Sequence, residues 1–321
     1  MRLLVVKLSS LGDVLHALPV VHRLADGLGA EVDWVTQSEY VPLVRCVERV
    51  DRVIPFPRRR FLSGLGAFRR AVRDRDYGLV LDLQGLLKSA VAARLARGER
   101  VVGVARRREG AGWLVPDAPP ARPGARHAVD RLLDVAEHLG LARTPVEFRM
   151  RALRAEAGRG RHVGMVPFSR WAAKNWPAAN FAEAARAIRA RSGAAVHLFG
   201  GPSDAEGCAG IAAAAGEGVE NRAGRTGLPE LAGWLAAMDA VLSVDSGPMH
   251  LAAAMGTPVV ALFGPTDPRL TGPYGQGHVV ITPPGHAPDH RYKGDDDTLI
   301  RGIAVESAVQ GVLGLLSHVQ G

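Results

Sequence analysis

The sequence predicts an α/β protein made of two Rossmann-like, doubly wound domains, and three observations lead there. The chain has 321 residues, about twice the usual length of one domain. Short apolar runs alternate with stretches of helical spacing, the pattern of a parallel sheet flanked by helices. The alternation fades over 141–160 and then begins again, so the expected boundary lies near 150. With 47% hydrophobic and 22% charged residues, the chain can fill two cores and lacks the signature of disorder.

Residues 2–8 (RLLVVKL) read as the first strand, which breaks into Ser9-Ser10-Leu11-Gly12-Asp13. Val14, Leu15, Leu18, Val21 and Leu24 then recur at helical spacing. Further strands are expected at 32–36, 52–56, 78–83 and 101–104, with helical stretches near 38–47, 61–75 and 87–97. A segment rich in Pro, Gly and Ala at 110–126 reads as a surface loop before a helix near 127–139. The second half predicts strands at 162–167, 195–199, 240–244 and 258–263, with helices at 178–191, 204–215, 228–237 and 248–255. Two such domains facing each other across a cleft would hold ligands at the carboxyl ends of their strands.

Charge narrows the partner. Lys and Arg number 40 against 32 Asp and Glu, a formal +8, which points to an anionic ligand or surface. Nucleic acid is disfavoured, because aromatics are only 5% and no helix-turn-helix, RNP or zinc-finger spacing occurs. No run reaches the roughly 18 uncharged apolar residues of a membrane span, and the N-terminus enters a strand, so a cytoplasmic protein is expected. Cys46 and Cys208 lie far apart without metal-ligand or redox spacing and read as structural.

Two stretches are built to carry chemistry. Lys7–Asp13 joins a strand end to a helix start, where backbone N–H groups and the helix dipole attract an anion. Asp13 there either caps the helix or faces the cleft as a general base, with Lys7 favouring its ionised form. In Asp245-Ser246-Gly247-Pro248-Met249-His250, Pro248 suits a first helical turn, Ser246 and Gly247 let the backbone approach a diphosphate, and His250 adds a donor. The alternative is an ordinary capped helix with a core histidine. Phe263-Gly264-Pro265-Thr266-Asp267-Pro268 reads as a tight turn at the same rim. Lys174, one of four lysines, stands just before a helix, either to neutralise a leaving phosphate or as a solvated charge. Neither half opens with G-x-G-x-x-G, which argues against a nicotinamide-dependent oxidoreductase. Asp295-Asp296-Asp297 contains a metal-binding D-x-D pattern, but it precedes a helical stretch and reads as an acidic helix start.

KLSSLGDVLHALP, LDLQGLLKS, KNWP and VDSGPMHLAAAMGTPVVALFGPTDP, in this order, resemble the ADP-heptose:lipopolysaccharide heptosyltransferases, glycosyltransferase family 9, most of all the heptosyltransferase I branch. The resemblance spans nearly the whole chain. It implies the GT-B architecture, an acceptor domain over 1–150, a nucleotide-sugar domain over 151–304, and a last helix, 305–321, that returns to the first domain. The implied activity is inverting transfer of heptose from ADP-heptose to the Kdo region of the lipopolysaccharide inner core, without metal or other cofactor. By motif, Asp13 falls on the catalytic base and Lys174 on the contact to the donor's phosphate and ribose. Ser169, Asp245, Ser246, Gly247 and His250 fall on the donor site, and Asp204 stands, one methylene shorter, where the family has an acidic ribose contact. Ser246 replaces a common threonine, and Pro248 removes one backbone donor.

On the acceptor side the resemblance implicates Ser9, Ser10, Gly12, His127 and Arg131. The basic runs Arg58-Arg59-Arg60 and Arg106-Arg107-Arg108 follow strands and suit an anionic, Kdo-bearing lipid. Such an acceptor implies peripheral contact with the cytoplasmic face of the inner membrane. Two other readings stay open: a heptosyltransferase branch that acts on a heptose acceptor, and a non-catalytic nucleotide-sugar-binding protein.

Overall fold

The computed structural model describes residues 1–58, 61–124, 126–151, 155, 157–288 and 296–318. They form two compact units, Met1–Arg151 and Ala152–Gly321.

The first unit is built on β1 (Arg2–Val6), β2 (Glu31–Gln37), β3 (Val50–Phe56), β4 (Asp76–Asp82) and β5 (Arg97–Gly103), all parallel, in the order β3-β2-β1-β4-β5. Leu3 to Val6 are wholly buried, as expected of a central parallel strand covered by helices on both faces. The chain winds outward from β1 to β3 and then crosses back to β4. The topological switch point therefore lies between the carboxyl ends of β1 and β4, where such sheets open a crevice for ligands. One expected helix is divided. Pro19 has no N–H to donate, so the segment forms Leu11–His16 and Leu18–Gly27, with Pro19 in the first turn of the second helix.

The second unit repeats the plan with β6 (His162–Val166), β7 (Ala195–Leu198), β8 (Val219–Asn221), β9 (Ala240–Val244), β10 (Val259–Leu262) and β11 (Val279–Ile281). These strands are also parallel and lie in the order β11-β10-β9-β6-β7-β8, which puts the switch point between β6 and β9. The edge strands β8 and β11 were not expected. Each has three residues, too few for a periodic signal.

The last helix, Val305–His318, corrects the expectation that it returns to the first unit. Ala308, Val309, Val312 and Leu316 are buried in one cluster with Ile188, Val260 and Trp176 of the second unit. Gly311 has the Val260 side chain 3.2 Å from where its Cβ would stand, so the helix lies directly on β10. Trp176 locks the preceding segment to the same core, donating from Nε1 to the Ile303 carbonyl at 3.1 Å and meeting Phe181 edge-on.

Candidate active site

At the β1/β4 switch point the backbone presents a carboxylate. Ser10 caps the helix Leu11–His16, and both its amide and its hydroxyl donate to Asp13 Oδ2 at 2.9 Å. Asp13 thus sits in the first turn, fixed against the cap residue, with its side chain 46% exposed. Lys7 is buried, donates to the Leu83 carbonyl at 2.9 Å and lies 3.9 Å from Asp13 Oδ1. Burial holds the Lys7 ammonium below its usual pKa; Asp13 and Asp82 oppose that shift and Arg131 adds to it.

Three amides of the loop are engaged within the protein. Leu8 and Ser9 donate to Gln84 Oε1 at 3.0 and 3.2 Å, and Ser10 donates to Asp13. Gln84 is itself anchored, because its amide and that of Gly85 donate to the buried Asp82 Oδ1 at 3.1 and 3.0 Å. Burial pushes the Asp82 carboxyl up, against the pull of these donors. Gln84 was not singled out in the sequence; its signal is an amide placed right after a buried strand in LDLQG.

His127 caps the helix Ala128–His138, accepting the Val129 amide at 3.2 Å, and its ring meets His16 edge-on at 5.2 Å. Arg131 follows one turn later. Burial lowers its pKa, Arg106 lowers it further and Asp13 opposes both, so Arg131 feels the Asp13 carboxylate. Gly12 is buried within the first turn. Arg58 donates to Gln37 Oε1 at 3.3 Å, and the Gln37 amide donates to the Leu8 carbonyl at 3.2 Å; beside Arg58 lies a cavity of about 900 Å³ lined by Ile54, Phe56 and Phe68. Arg59 and Arg60 lie outside the described residues.

At the second switch point the chemistry is reversed. Lys174, Asp245 and Thr266 follow β6, β9 and β10, and they converge on one oxygen. Lys174 Nζ donates to Asp245 Oδ2 at 2.6 Å, and Thr266 Oγ1 donates to the same atom at 2.7 Å. The Lys174 ammonium also lies 4.8 Å from the centre of the Trp171 ring, a cation–π distance. Thr266 was not singled out in the sequence, where FGPTDP reads as a turn. The turn needs Gly264, since a Cβ there would stand 2.9 Å from the Ile300 side chain.

Ser246 caps the helix Gly247–Ala254, accepting the Met249 amide at 3.4 Å and sharing a hydrogen bond with Ser243 Oγ at 3.2 Å. Pro248 occupies the first turn as expected, and His250 is buried within the helix. The amide of Ser169 donates to Asn175 Oδ1 at 2.7 Å, tying the end of β6 to the Lys174 segment. Asp204 has a local role, accepting the Gly201 amide at 2.8 Å at the turn after β7. Asp296 accepts the Thr298 amide at 2.9 Å at a helix start, the structural part expected of the D-x-D run; Asp295 lies outside the described residues.

The chain is 34% identical over 299 residues to lipopolysaccharide heptosyltransferase 1 of Pseudomonas aeruginosa, a match that covers 87% of this chain and 83% of the relative. The structure of E. coli heptosyltransferase WaaC with ADP superposes with a TM-score of 0.84 at 29% identity, covering 98% of this chain and 100% of that one. The same enzyme with ADP-2-deoxy-2-fluoro heptose gives a TM-score of 0.78 at 29% identity, covering 98% and 99%. Residues 65–296 match the family described as glycosyltransferase family 9 (heptosyltransferase). The four-motif resemblance is thereby confirmed, and the chain belongs to glycosyltransferase family 9, the heptosyltransferases.

Proposed function

We propose that this glycosyltransferase moves a heptose from ADP-heptose to the Kdo region of the lipopolysaccharide inner core, with inversion at the anomeric carbon. The observation that carries the reading is the opposite chemistry of the two switch points. The first ties the Leu8, Ser9 and Ser10 amides to side chains and holds out a carboxylate; the second offers a lysine beside a capped helix start. A nucleoside diphosphate suits the second and an alcohol awaiting deprotonation suits the first.

In the reaction proposed, Asp13 takes the proton of the acceptor hydroxyl as its oxygen bonds to the anomeric carbon and the bond from that carbon to the diphosphate breaks. A single displacement of this kind inverts the centre. Lys174 and the backbone at Ser246 and Gly247 stabilise the charge that develops on ADP. Asp245 and Thr266 hold Lys174 in place, His250 supports the loop from within the helix, and Ser169 and Asp204 flank the nucleotide, Asp204 toward the ribose hydroxyls. Ser9, Ser10, Gly12, His127 and Arg131 surround the acceptor sugar, and Arg58, Arg59 and Arg60 meet its anionic groups. Gln84 is a positioning residue, since its amide oxygen fixes the two residues before Ser10.

A lipid acceptor requires work at a membrane surface, here the cytoplasmic face of the inner membrane. No described helix is long and apolar enough to cross one. The names of the relatives support the donor and the pathway, because they are lipopolysaccharide heptosyltransferases and one was solved with an ADP-heptose analogue.

Incubation with ADP-heptose and a panel of truncated cores, read by product mass, tests the reading. One added heptose on a core ending in Kdo is expected. Addition only to cores already bearing heptose would favour the other branch, and ADP binding without any product would favour a non-catalytic binder.

A further inference from the structure

The molecule exposes an aromatic side chain that neither candidate site uses. Trp113, in the short helix Ala111–Leu114, is 92% exposed, although tryptophan is among the costliest side chains to leave in water. Leu87, at the start of the helix Leu87–Leu95, is 44% exposed. The two belong to one surface. Arg108 donates its amide to the Gly85 carbonyl at 2.9 Å, the Leu87 amide donates to Glu109 Oε2 at 3.3 Å, and Ala90 and Ala111 share an apolar cluster beneath.

Cations surround this apolar pair, and they divide by role. Arg107 turns inward, donating from Nη1 to the carbonyls of Val115 and Pro116 at 2.9 and 2.8 Å, and so braces the loop. Arg106, Arg108 and Lys88 remain exposed. Glu109, the one acid among them, has its carboxylate on the Leu87 amide. Gly85, which accepts the Arg108 amide, follows Gln84, whose Oε1 holds the Leu8 and Ser9 amides, so the ridge is tied by hydrogen bonds to the loop that carries Asp13.

An exposed Trp and Leu ringed by Arg and Lys is the composition that settles at an anionic lipid headgroup layer. The aromatic ring enters the interface, and each cation near the surface adds attraction to acidic lipids. We propose that the ridge formed by Leu87, Lys88, Arg106, Arg108 and Trp113 docks the protein on an anionic bilayer and sets the depth at which a lipid-borne acceptor reaches Asp13. The proposal deepens the lipid-acceptor reading above and rests on it for the second half of that statement.

Vesicle sedimentation with the full chain tests it, using phosphatidylcholine alone and phosphatidylcholine with phosphatidylglycerol. The wild type should partition onto the anionic vesicles only, with tryptophan emission shifting blue and quenched by brominated lipid. Trp113→Ala and Arg108→Glu should each weaken partitioning about tenfold or more, with the effect of Arg108→Glu diminishing at high salt. Trp113→Ala and Leu87→Ser should keep wild-type transfer to a water-soluble, deacylated acceptor and lose it toward the same acceptor embedded in vesicles.

Wild-type partitioning by Trp113→Ala would overturn the proposal. So would equal loss on both acceptors, which would make the ridge part of the sugar site, or concentration-dependent self-association through Trp113 without lipid. If the wild type transfers to neither acceptor the heptosyltransferase reading fails, while the sedimentation result still decides the docking surface.

Discussion

Lys174 Nζ and Asp245 Oδ2 are 2.6 Å apart, although the two residues stand at the ends of different strands 71 positions apart in the chain. The pair fixes a flexible ammonium at the helix start where a diphosphate is proposed to bind. Thr266 Oγ1 adds a second donor to the same oxygen at 2.7 Å, so the carboxylate is held from two sides. Lys174→Ala should therefore weaken ADP binding twice over, by removing a cation and by leaving Asp245 facing the diphosphate unneutralised. Calorimetric titration should show Kd for ADP raised about 10- to 100-fold, as expected for a lost charged hydrogen bond, and the melting temperature should fall as well, because the buried Asp245 loses its ion-pair partner.

Gln84 carries a prediction that separates positioning from packing. Gln84→Met keeps the side chain's length but leaves the Leu8 and Ser9 amides without their acceptor. The strand-to-helix loop then loses its fixed approach to Asp13, and displacements near 1 Å can cost about 100-fold in rate. Steady-state kinetics should show kcat reduced while KM for ADP-heptose stays near wild type. Gln84→Glu retains an acceptor for both amides and should recover most of kcat. An equal rise of KM in Gln84→Met would assign the residue to donor binding instead.

Buried histidines make the fold sensitive to acid. His22 Nε2 accepts the Arg149 amide at 3.1 Å, and burial, reinforced by Arg149 and Arg49, holds its pKa down at about 4 against an ordinary 6.5; Asp26 opposes the shift. The unfolded chain binds this proton from pH 6.5 downward, whereas the folded chain resists it until about 4. Stability contributed by His22 is thus present above 6.5, falls between 6.5 and 4 and levels off below, by up to about 3 kcal/mol. His197 acts in the same direction, through burial and then Arg222. Asp26, held low by Arg149, also loses stability as it protonates. In His22→Gln, which keeps an acceptor for Arg149, the fall in melting temperature from pH 7 to pH 5 should be smaller than in wild type. An identical fall would remove His22 from the acid response.

Much of this was legible because it is local. The strands β1, β4, β6 and β9 are short apolar runs ended by Ser, Gly or Asp, and their alternation with helical spacing dictates a parallel sheet. Asp13, Asp245 and Lys174 stand at strand ends or before helices, where position alone nominates them. Contacts made by the fold were illegible. Gln84 reaches back across 76 positions to Leu8, and Thr266 reaches Asp245 from the neighbouring strand; neither spacing leaves a mark in the sequence. The basic triplet Arg106-Arg107-Arg108 reads as one run, yet the structure turns Arg107 inward and leaves its neighbours exposed. The terminal helix was misplaced because an apolar helical face fits either core; Val260 and Ile188 decide it.

The proposed reaction stands or falls on Asp13. Asp13→Asn keeps an oxygen for the Ser10 amide and hydroxyl, so the loop should hold its shape while the base is lost. Single-turnover transfer from ADP-heptose to a Kdo-terminated core should slow by about 100- to 10,000-fold, the range for removing a general base, with ADP affinity unchanged. Transfer by Asp13→Asn at a rate within a few-fold of wild type would contradict it.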